Sequence, residues 1–152
     1  MKSVFAAVTM LLPLLLCASL YATEKDAPGC KDHPLIPRMQ DHYIAACGKN
    51  VADFEADPAN GNTAETVHIK GNSSMLMYQP QPELKSKPSE AQVRSDFENA
   101  VKKQGGTFFG TTPGQKWPVY KLVKDGKQLW IVLLINPGEY FTGSYAFRII
   151  EQ

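Results

Sequence analysis

Residues 119–135 read VYKLVKDGKQLWIVLLI and carry the clearest folding signal in the chain. Two apolar-rich segments flank Asp125-Gly126, a dipeptide typical of a tight β-hairpin turn. This pattern predicts strands over residues 119–124 and 127–135. The second segment is apolar at every position from Leu129 to Ile135, so both of its faces should be buried. We therefore expect a central strand with a helix on one face and a second cover on the other.

Further strands are predicted on either side of this hairpin. Thr107–Thr111 precedes it, with a turn at Pro113-Gly114, and Tyr145–Ile150 follows it, after a turn at Asn136-Pro137-Gly138. Together these segments predict an antiparallel meander in the C-terminal half of the chain.

Nearer the N-terminus the strand signals are shorter and are interrupted by turn residues. Tyr43–Ala46 and Val51–Glu55 are separated by Gly48-Lys49-Asn50, which predicts a turn between two short strands. Residues 66–70 and 75–78 are separated by Gly71-Asn72-Ser73-Ser74, which predicts a hairpin.

One helix is predicted, from Glu90 to Gln104. Ser89 is a suitable N-cap, Gln92 completes a capping box, and Gly105-Gly106 ends the helix. Its apolar side chains share one face: Val93, Phe97, Ala100 and Val101. The order of elements predicts the α+β class, with an antiparallel sheet of about six to seven short strands and one main helix packed on it.

Residues 1–22 have the layout of a secretory signal peptide. Lys2 is followed by an uncharged apolar stretch and then by small residues ending at Ala22. Pro13 interrupts the apolar stretch, which is shorter than the roughly 20 residues of a membrane-spanning helix. Cys17 lacks the small preceding residue expected at a lipid-modified cysteine, so we do not expect a lipid anchor there. Residues 23–152 should form a single exported domain.

The two cysteines of the exported segment, Cys30 and Cys47, predict a disulfide. Oxidising compartments favour such a bond over a metal site or a reactive thiol. It would close a loop of about 18 residues and contribute on the order of 3 kcal/mol to stability. A redox-active pair is the alternative, but the spacing is far from C-x-x-C.

Composition and charge exclude several kinds of partner. The chain has 152 residues, 16 basic and 15 acidic, and is 43% hydrophobic, which suits one globular domain. Removal of residues 1–22 takes away Lys2 and leaves as many basic as acidic side chains. We therefore expect no nucleic-acid partner and no membrane span after signal cleavage.

Two Asp-His pairs are the best candidates for chemistry, at Asp32-His33 and Asp41-His42, with His68 elsewhere. Such residues can bind a metal or act as an acid and a base. Neighbouring residues of an extended chain point to opposite faces, however, so each pair suits one shared ion poorly. His33 and His42 are kept as weak metal candidates. No H-E-x-x-H, G-x-S-x-G, P-loop or C-x-x-C motif occurs. No catalytic residue and no cofactor are therefore predicted.

Aromatic residues are concentrated in the C-terminal half, where most should be core. Tyr140 and Phe141 lie beside glycine and proline residues and are the best candidates for exposed partner-binding residues, with Trp117.

Several segments together resemble the N-terminal region of OmpA-like proteins of the bacterial cell envelope. They are CKDHPLIPRM at residues 30–39, Tyr43-Ile44, FENAVKKQGGT at residues 97–107 and LVKDGK at residues 122–127. In those relatives the region resembles an accessory domain ahead of a peptidoglycan-binding module. The chain ends at Gln152 without that module, so we do not expect peptidoglycan binding. The resemblance implies a periplasmic location and a role in binding or assembly.

Three functions remain open on the sequence. The first is a periplasmic, non-enzymatic domain that binds an envelope protein or a small ligand. The second is a small exported hydrolase or metal-dependent enzyme that uses the Asp and His residues near the N-terminus. The third is a structural subunit of an envelope complex.

Overall fold

The computed structural model describes residues 23–59, 65–135 and 142–152. Its elements are β1 His42–Pro58, β2 Val67–Pro80, α1 Glu90–Lys103, β3 Thr107–Thr111, β4 Pro118–Lys124, β5 Lys127–Leu134 and β6 Tyr145–Glu151. The predicted signal peptide, the predicted turn at residues 136–138 and the candidates Tyr140 and Phe141 lie outside the described residues.

The strands form one closed antiparallel barrel in the order β1-β2-β6-β5-β4-β3. β3 to β6 are consecutive neighbours, and β6 pairs along the second half of β2. The barrel closes where the end of β1 meets β3, with Asp57 opposite Thr111 and Pro58 opposite Gly110. The helix α1 connects β2 to β3, which lie on opposite sides of β1.

The predicted α+β class is wrong. Of the described residues, 50% lie in strands and 12% in helix, with a single short helix among them, so the fold is nearly all sheet. The described ranges contain six strands, within the predicted number of six to seven, but two of the six are long rather than short. The strand lengths were wrong because turn residues inside each long strand made it resemble two short strands.

The two predicted turns near the N-terminus are both strand interiors. Gly48-Lys49-Asn50 lies within β1 and residues 71–74 lie within β2. The two segments are adjacent in the same ladder, with Lys49 opposite Ser74 and Ala52 opposite Gly71. Each segment therefore satisfies its backbone hydrogen bonds across the ladder and does not need to turn.

The predicted helix, the Asp125-Gly126 hairpin and the strands over residues 107–111 and 145–150 are confirmed. Asp125 and Gly126 both have positive φ angles, 51° and 77°, as a two-residue hairpin turn requires, and β4 and β5 pair directly across them. The helix begins after Ser89, whose side chain accepts a hydrogen bond from the backbone N–H of Gln92. Its buried residues are Val93, Phe97 and Val101.

The sheet separates two apolar clusters. The first, here the helix-side core, joins the buried face of α1 to the outer face of the barrel. The second, here the barrel core, lies on the opposite face of the same strands and includes Trp130, Val132 and Ile150. β5 contributes to both, because Leu133 belongs to the helix-side core and Val132 to the barrel core. Burial of both faces of this strand, as predicted, is confirmed.

Residues 23–41 form an arm that covers part of the helix-side core. Ile36 of this arm is fully buried in that core, and Cys30 packs against it. The predicted disulfide is confirmed, since Cys30 and Cys47 are bonded with an S–S distance of 2.01 Å. The bond ties the arm to β1.

Candidate functional site

The wall of the barrel has a gap beside β1. Among the described residues, β1 pairs with β3 only at Asp57 and Pro58, so Phe54 and Glu55 have no strand neighbour on that side. The chain leaving β3 turns away at Thr112, whose backbone N–H donates to the carbonyl of Trp117 at 2.9 Å. A space therefore remains between β1 and the β3–β4 loop.

A cavity of about 270 Å³ occupies this gap and reaches the barrel core. Its lining is Phe54, Glu55, Thr112, Pro113, Gln115, Trp117, Val132, Leu134 and Arg148. Most of the wall is apolar, and its polar groups belong to the loop, to Glu55 and to Arg148. We refer to this space as the wall cavity.

Trp117 is held in the cavity wall by hydrogen bonds at both ends. Its indole Nε1–H donates to the carbonyl of Ile135 at 3.0 Å, and its backbone N–H donates to Thr112 Oγ1 at 3.1 Å. Beside it, Lys116 has a positive φ of 57°, and its ammonium lies 3.6 Å from Asp57 Oδ2. The indole face is thus positioned before any ligand arrives.

Arg148 is a charged residue on the inner face of β6. Its neighbours across the sheet are Val132 of β5 and Met75 of β2, and the next inward positions along β6 are Ala146 and Ile150. Its guanidinium Nη2 lies 3.9 Å from Met75 Sδ. Its Nε is buried and has no hydrogen-bond partner in the described part of the chain. None of the ion pairs found there includes Arg148.

The chemistry of the wall cavity follows from this arrangement. A guanidinium is always charged and presents its N–H donors in a planar fork that matches a carboxylate. An apolar surround strengthens any pairing that it makes and raises the cost of leaving it unpaired. Glu55 lies at the rim, where its carboxylate is 3.3 Å from His68 Nε2. The cavity can therefore hold an apolar group and an anionic group at once.

The structure places the Asp and His candidates in the arm and its attachments. The Nδ1 and Nε2 atoms of His42 lie 2.9 Å and 3.0 Å from the backbone carbonyls of Gln40 and Gly143. His42 is buried and joins the arm to the start of β6. Asp41, next to it, has a positive φ of 58° in the turn before β1.

His33 and Asp32 take part in the folding of the arm. His33 Nδ1 accepts a hydrogen bond from the backbone N–H of Leu35 at 3.3 Å, and burial lowers the pKa of the His33 ring. Asp32 instead accepts hydrogen bonds from Arg38 and from the hydroxyl of Tyr78. Within residues 23–59, 65–135 and 142–152, no group of three His, Cys, Asp or Glu side chains could hold a metal ion.

Arg38 organises the arm. Its guanidinium lies 2.6 Å from Asp26 and 2.9 Å from Asp32, and it also faces the ring of Tyr78 at 5.9 Å. The hydrogen bond from Arg38 is the main reason why the pKa of Asp26 lies below its ordinary value. Burial raises the pKa of Tyr145, whose hydroxyl accepts from the backbone N–H of Met39, to about 12. These charged groups stabilise the arm against the sheet.

Two further recesses lie away from the wall cavity. A groove of about 970 Å³ has His33, Lys49, Lys127 and Glu151 among its lining residues, and the Lys127 ammonium pairs with Glu151. A third space, of about 430 Å³, lies between the arm and α1. In these recesses Lys127 pairs with Glu151, and Arg38 pairs with Asp26 and Asp32.

Sequence reasoning found one residue of the wall cavity and missed another. Trp117 was predicted as a partner-binding residue and lies in the cavity wall. Arg148 was missed, although the alternation in YAFRIIE was a usable signal. In that segment the charged residue Arg148 lies on the same face of the strand as the apolar residues Ala146 and Ile150.

Compared with known proteins, the chain matches no protein-family model and no curated protein sequence. No helix in the described ranges combines the length and the apolar character needed to cross a membrane. The disulfide is consistent with export to an oxidising compartment.

Proposed function

We propose that this protein is an exported, non-enzymatic binding domain of the bacterial cell envelope and that the wall cavity is its ligand site. The observation that carries the proposal is the cavity itself. It is open beside β1, apolar on most of its wall, and holds a charged group from the barrel interior. Ligand sites commonly combine an apolar lining with a few polar groups in this way.

The disulfide supports the exported location, and the sequence layout of residues 1–22 and the resemblance to OmpA-like envelope proteins support the periplasm. A binding role is favoured over the enzyme because the Asp and His candidates already have structural partners. Asp32 pairs with Arg38, and both ring nitrogens of His42 face carbonyls. A small ligand is favoured over a protein partner because the wall cavity is a recess rather than a protruding surface.

The experiment that tests the proposal is native mass spectrometry of the protein purified from a periplasmic extract. The full chain is expressed in bacteria, and the exported form is analysed beside a Leu134→Trp variant, which narrows the cavity. Val123→Trp is the matched control, because Val123 is 65% exposed and lies outside the cavity. We expect a small-molecule adduct on the wild type and the control that is reduced on Leu134→Trp.

Circular dichroism melting first establishes that the variants are folded. An adduct of equal occupancy on Leu134→Trp and Val123→Trp would place the ligand elsewhere and overturn the wall cavity as the binding site. Absence of any adduct, with no melting shift on adding a small-molecule extract of the envelope, would overturn the binding role. Recovery of the protein only from the cytoplasm would overturn export.

A further inference from the structure

We infer that the ligand of the wall cavity is a small monocarboxylate with an apolar tail, whose carboxylate pairs with Arg148. This inference rests on the proposed function and names the chemical class of ligand for the same site. It follows from the charge of Arg148, which pairs with no carboxylate of the described residues, from the apolar wall around it and from the volume of the cavity.

The charge of Arg148 is the first step. The inner face of the barrel around it consists of Met75, Val132 and other apolar side chains. The described residues place no carboxylate within 4.0 Å of its guanidinium, and its Nε–H has no acceptor there. The buried Nε–H of this partly buried cation is costly unless an acceptor meets it, because the apolar surround cannot replace water. A ligand carboxylate would supply both the charge and the acceptors.

Arg38 shows how the same chain treats an arginine that serves only the fold. That guanidinium is neutralised by Asp26 and Asp32 within 2.9 Å, and it also donates to the carbonyl of His42. Arg148 is likewise partly buried, but it lines the cavity with Trp117 and Leu134. The difference indicates a group kept available for an anion from outside.

The rest of the wall defines the other end of the ligand. Phe54, Trp117 and Leu134 offer aromatic and aliphatic surface, and Trp117 has its N–H already bonded to Ile135. A sugar would leave most of its hydroxyl groups without partners against such a wall. A hydrocarbon tail matches the wall without that cost.

Size and charge narrow the class further. A volume of about 270 Å³ lies at the small end of ligand pockets and holds on the order of ten non-hydrogen atoms. The carboxylate of Glu55 at the rim adds negative charge, which opposes a doubly charged phosphate ester more than a singly charged carboxylate. A medium-chain fatty acid combines the right size, one negative charge and an apolar tail.

The test uses octanoate, with octanol and octylamine as neutral and cationic analogues of equal chain length. Binding to the exported wild-type protein is measured by calorimetry and by the melting shift. We expect octanoate to bind at least about tenfold more tightly than octanol, as a charge-assisted hydrogen bond implies, and octylamine to bind most weakly.

Arg148→Met removes the charge and retains apolar volume. We expect it to lose that preference, binding octanoate about as weakly as octanol. Arg94→Met is the matched control, because Arg94 lies on α1 and pairs with Glu90, away from the cavity. Arg148→Lys serves as a second variant that keeps the charge but not the fork, and it should bind octanoate with intermediate affinity.

The outcomes separate this inference from the proposed function. Equal binding of octanoate and octanol to the wild type would overturn the carboxylate and leave an apolar ligand in the cavity. The carboxylate would also be overturned, with the cavity kept as the binding site, if octanoate fails to bind while the native adduct is still lost in Leu134→Trp. Unchanged octanoate binding in Arg148→Met would overturn the role of Arg148. Loss of the adduct from every form of the protein would instead count against the proposed function.

Discussion

The two faces of the sheet are packed in different ways. The helix-side core is closed by α1 and by the arm, and the arginine beside it, Arg38, has two carboxylate partners. The barrel core is enclosed by the strands and by Trp117 of the β3–β4 loop, and it has a gap beside β1 where Arg148 lines the wall cavity. The same strands therefore present one face that α1 and the arm cover and another that leaves a cavity beside Arg148.

This difference teaches where stability and binding reside. A face with dense apolar packing and paired charges gains its free energy from the fold itself. A face with a cavity and an unmatched charge forgoes part of that free energy, which a ligand can restore. We expect substitutions on the helix side to change stability and substitutions on the barrel side to change binding.

The sharpest comparison uses two adjacent leucines of β5 that point to opposite faces. Leu133 is fully buried in the helix-side core, whereas Leu134 is half-buried and lines the wall cavity. We expect Leu133→Ala to lower the free energy of unfolding by roughly 3–5 kcal/mol, near the upper range for leucine truncation. Leu134→Ala should cost clearly less, because space already exists beside it. Urea unfolding followed by circular dichroism measures both, and equal losses would contradict the distinction between the two cores.

Removal of the disulfide tests how the arm covers the helix side. The Cys30→Ala/Cys47→Ala double variant should lose about 3 kcal/mol, because the bond spans 17 residues and restricts the unfolded chain. Reduction of the wild type should produce a similar loss in the same unfolding experiment. Ligand binding in the wall cavity should change little when the variant is still folded, since neither cysteine lines it. A loss of binding with the fold intact would show that the two faces are coupled.

A third prediction concerns the place where the β1–β2 hairpin passes the end of β6. A Cβ on Gly71 would lie 2.3 Å from the carbonyl oxygen of Glu151, whereas a Cβ on Gly48 would meet nothing within 4 Å. Gly71→Ala should therefore destabilise the protein by about 1–3 kcal/mol, as overpacking does, because β2 must move away from β6. Gly48→Ala should change stability by less than about 0.5 kcal/mol. Melting temperatures of the two variants test this, and a reversed order would contradict the close approach.

These glycines also show why part of the fold could not be predicted from the sequence. The Asp125-Gly126 hairpin and the capped helix are local signals, so they were predicted correctly. Gly71 lies in a segment that has the composition of a turn, yet the role of this glycine is to let β2 and β6 approach each other closely. That requirement depends on β6, which is about 80 residues away in the chain. The closure of the sheet through Asp57 and Thr111 is equally non-local.

The candidate site divides in the same way. Trp117 was a candidate because it is aromatic, and the alternation in β6 indicated that Arg148 lies on an apolar face. Neither signal indicated that the two residues meet in one cavity, because Arg148 lies on β6 and Trp117 precedes β4. The Asp-His pairs were candidates because of their residue types, but in the structure they stabilise the arm and its attachment to the sheet. The sequence pattern does not show which residues lie close together in space.

The smallest expected effect is a difference in the pH dependence of stability between a variant of Arg38 and a variant of Arg148. Arg38 donates two hydrogen bonds of 2.6 Å to Asp26, and these are the main cause of the lowered pKa of that carboxyl. A carboxyl whose pKa is lower in the folded than in the unfolded state stabilises the fold above the unfolded-state pKa. That contribution is lost as the pH falls through the folded-state pKa. Wild-type stability should therefore decline below about pH 4, the ordinary range of aspartate.

Arg38→Gln removes the cause of that lowered pKa, so its stability should fall less steeply below about pH 4. The loss at neutral pH should be no more than about 1 kcal/mol, because the Arg38 and Asp26 side chains are 26% and 34% exposed. Arg148→Gln is the matched control, since it leaves Asp26 paired and should keep the wild-type slope. Urea midpoints from neutral pH to about pH 2 measure the three proteins. A flattened slope in Arg148→Gln would mean that Arg148 also pairs with a carboxylate of the folded chain, which would remove the charge available to a ligand.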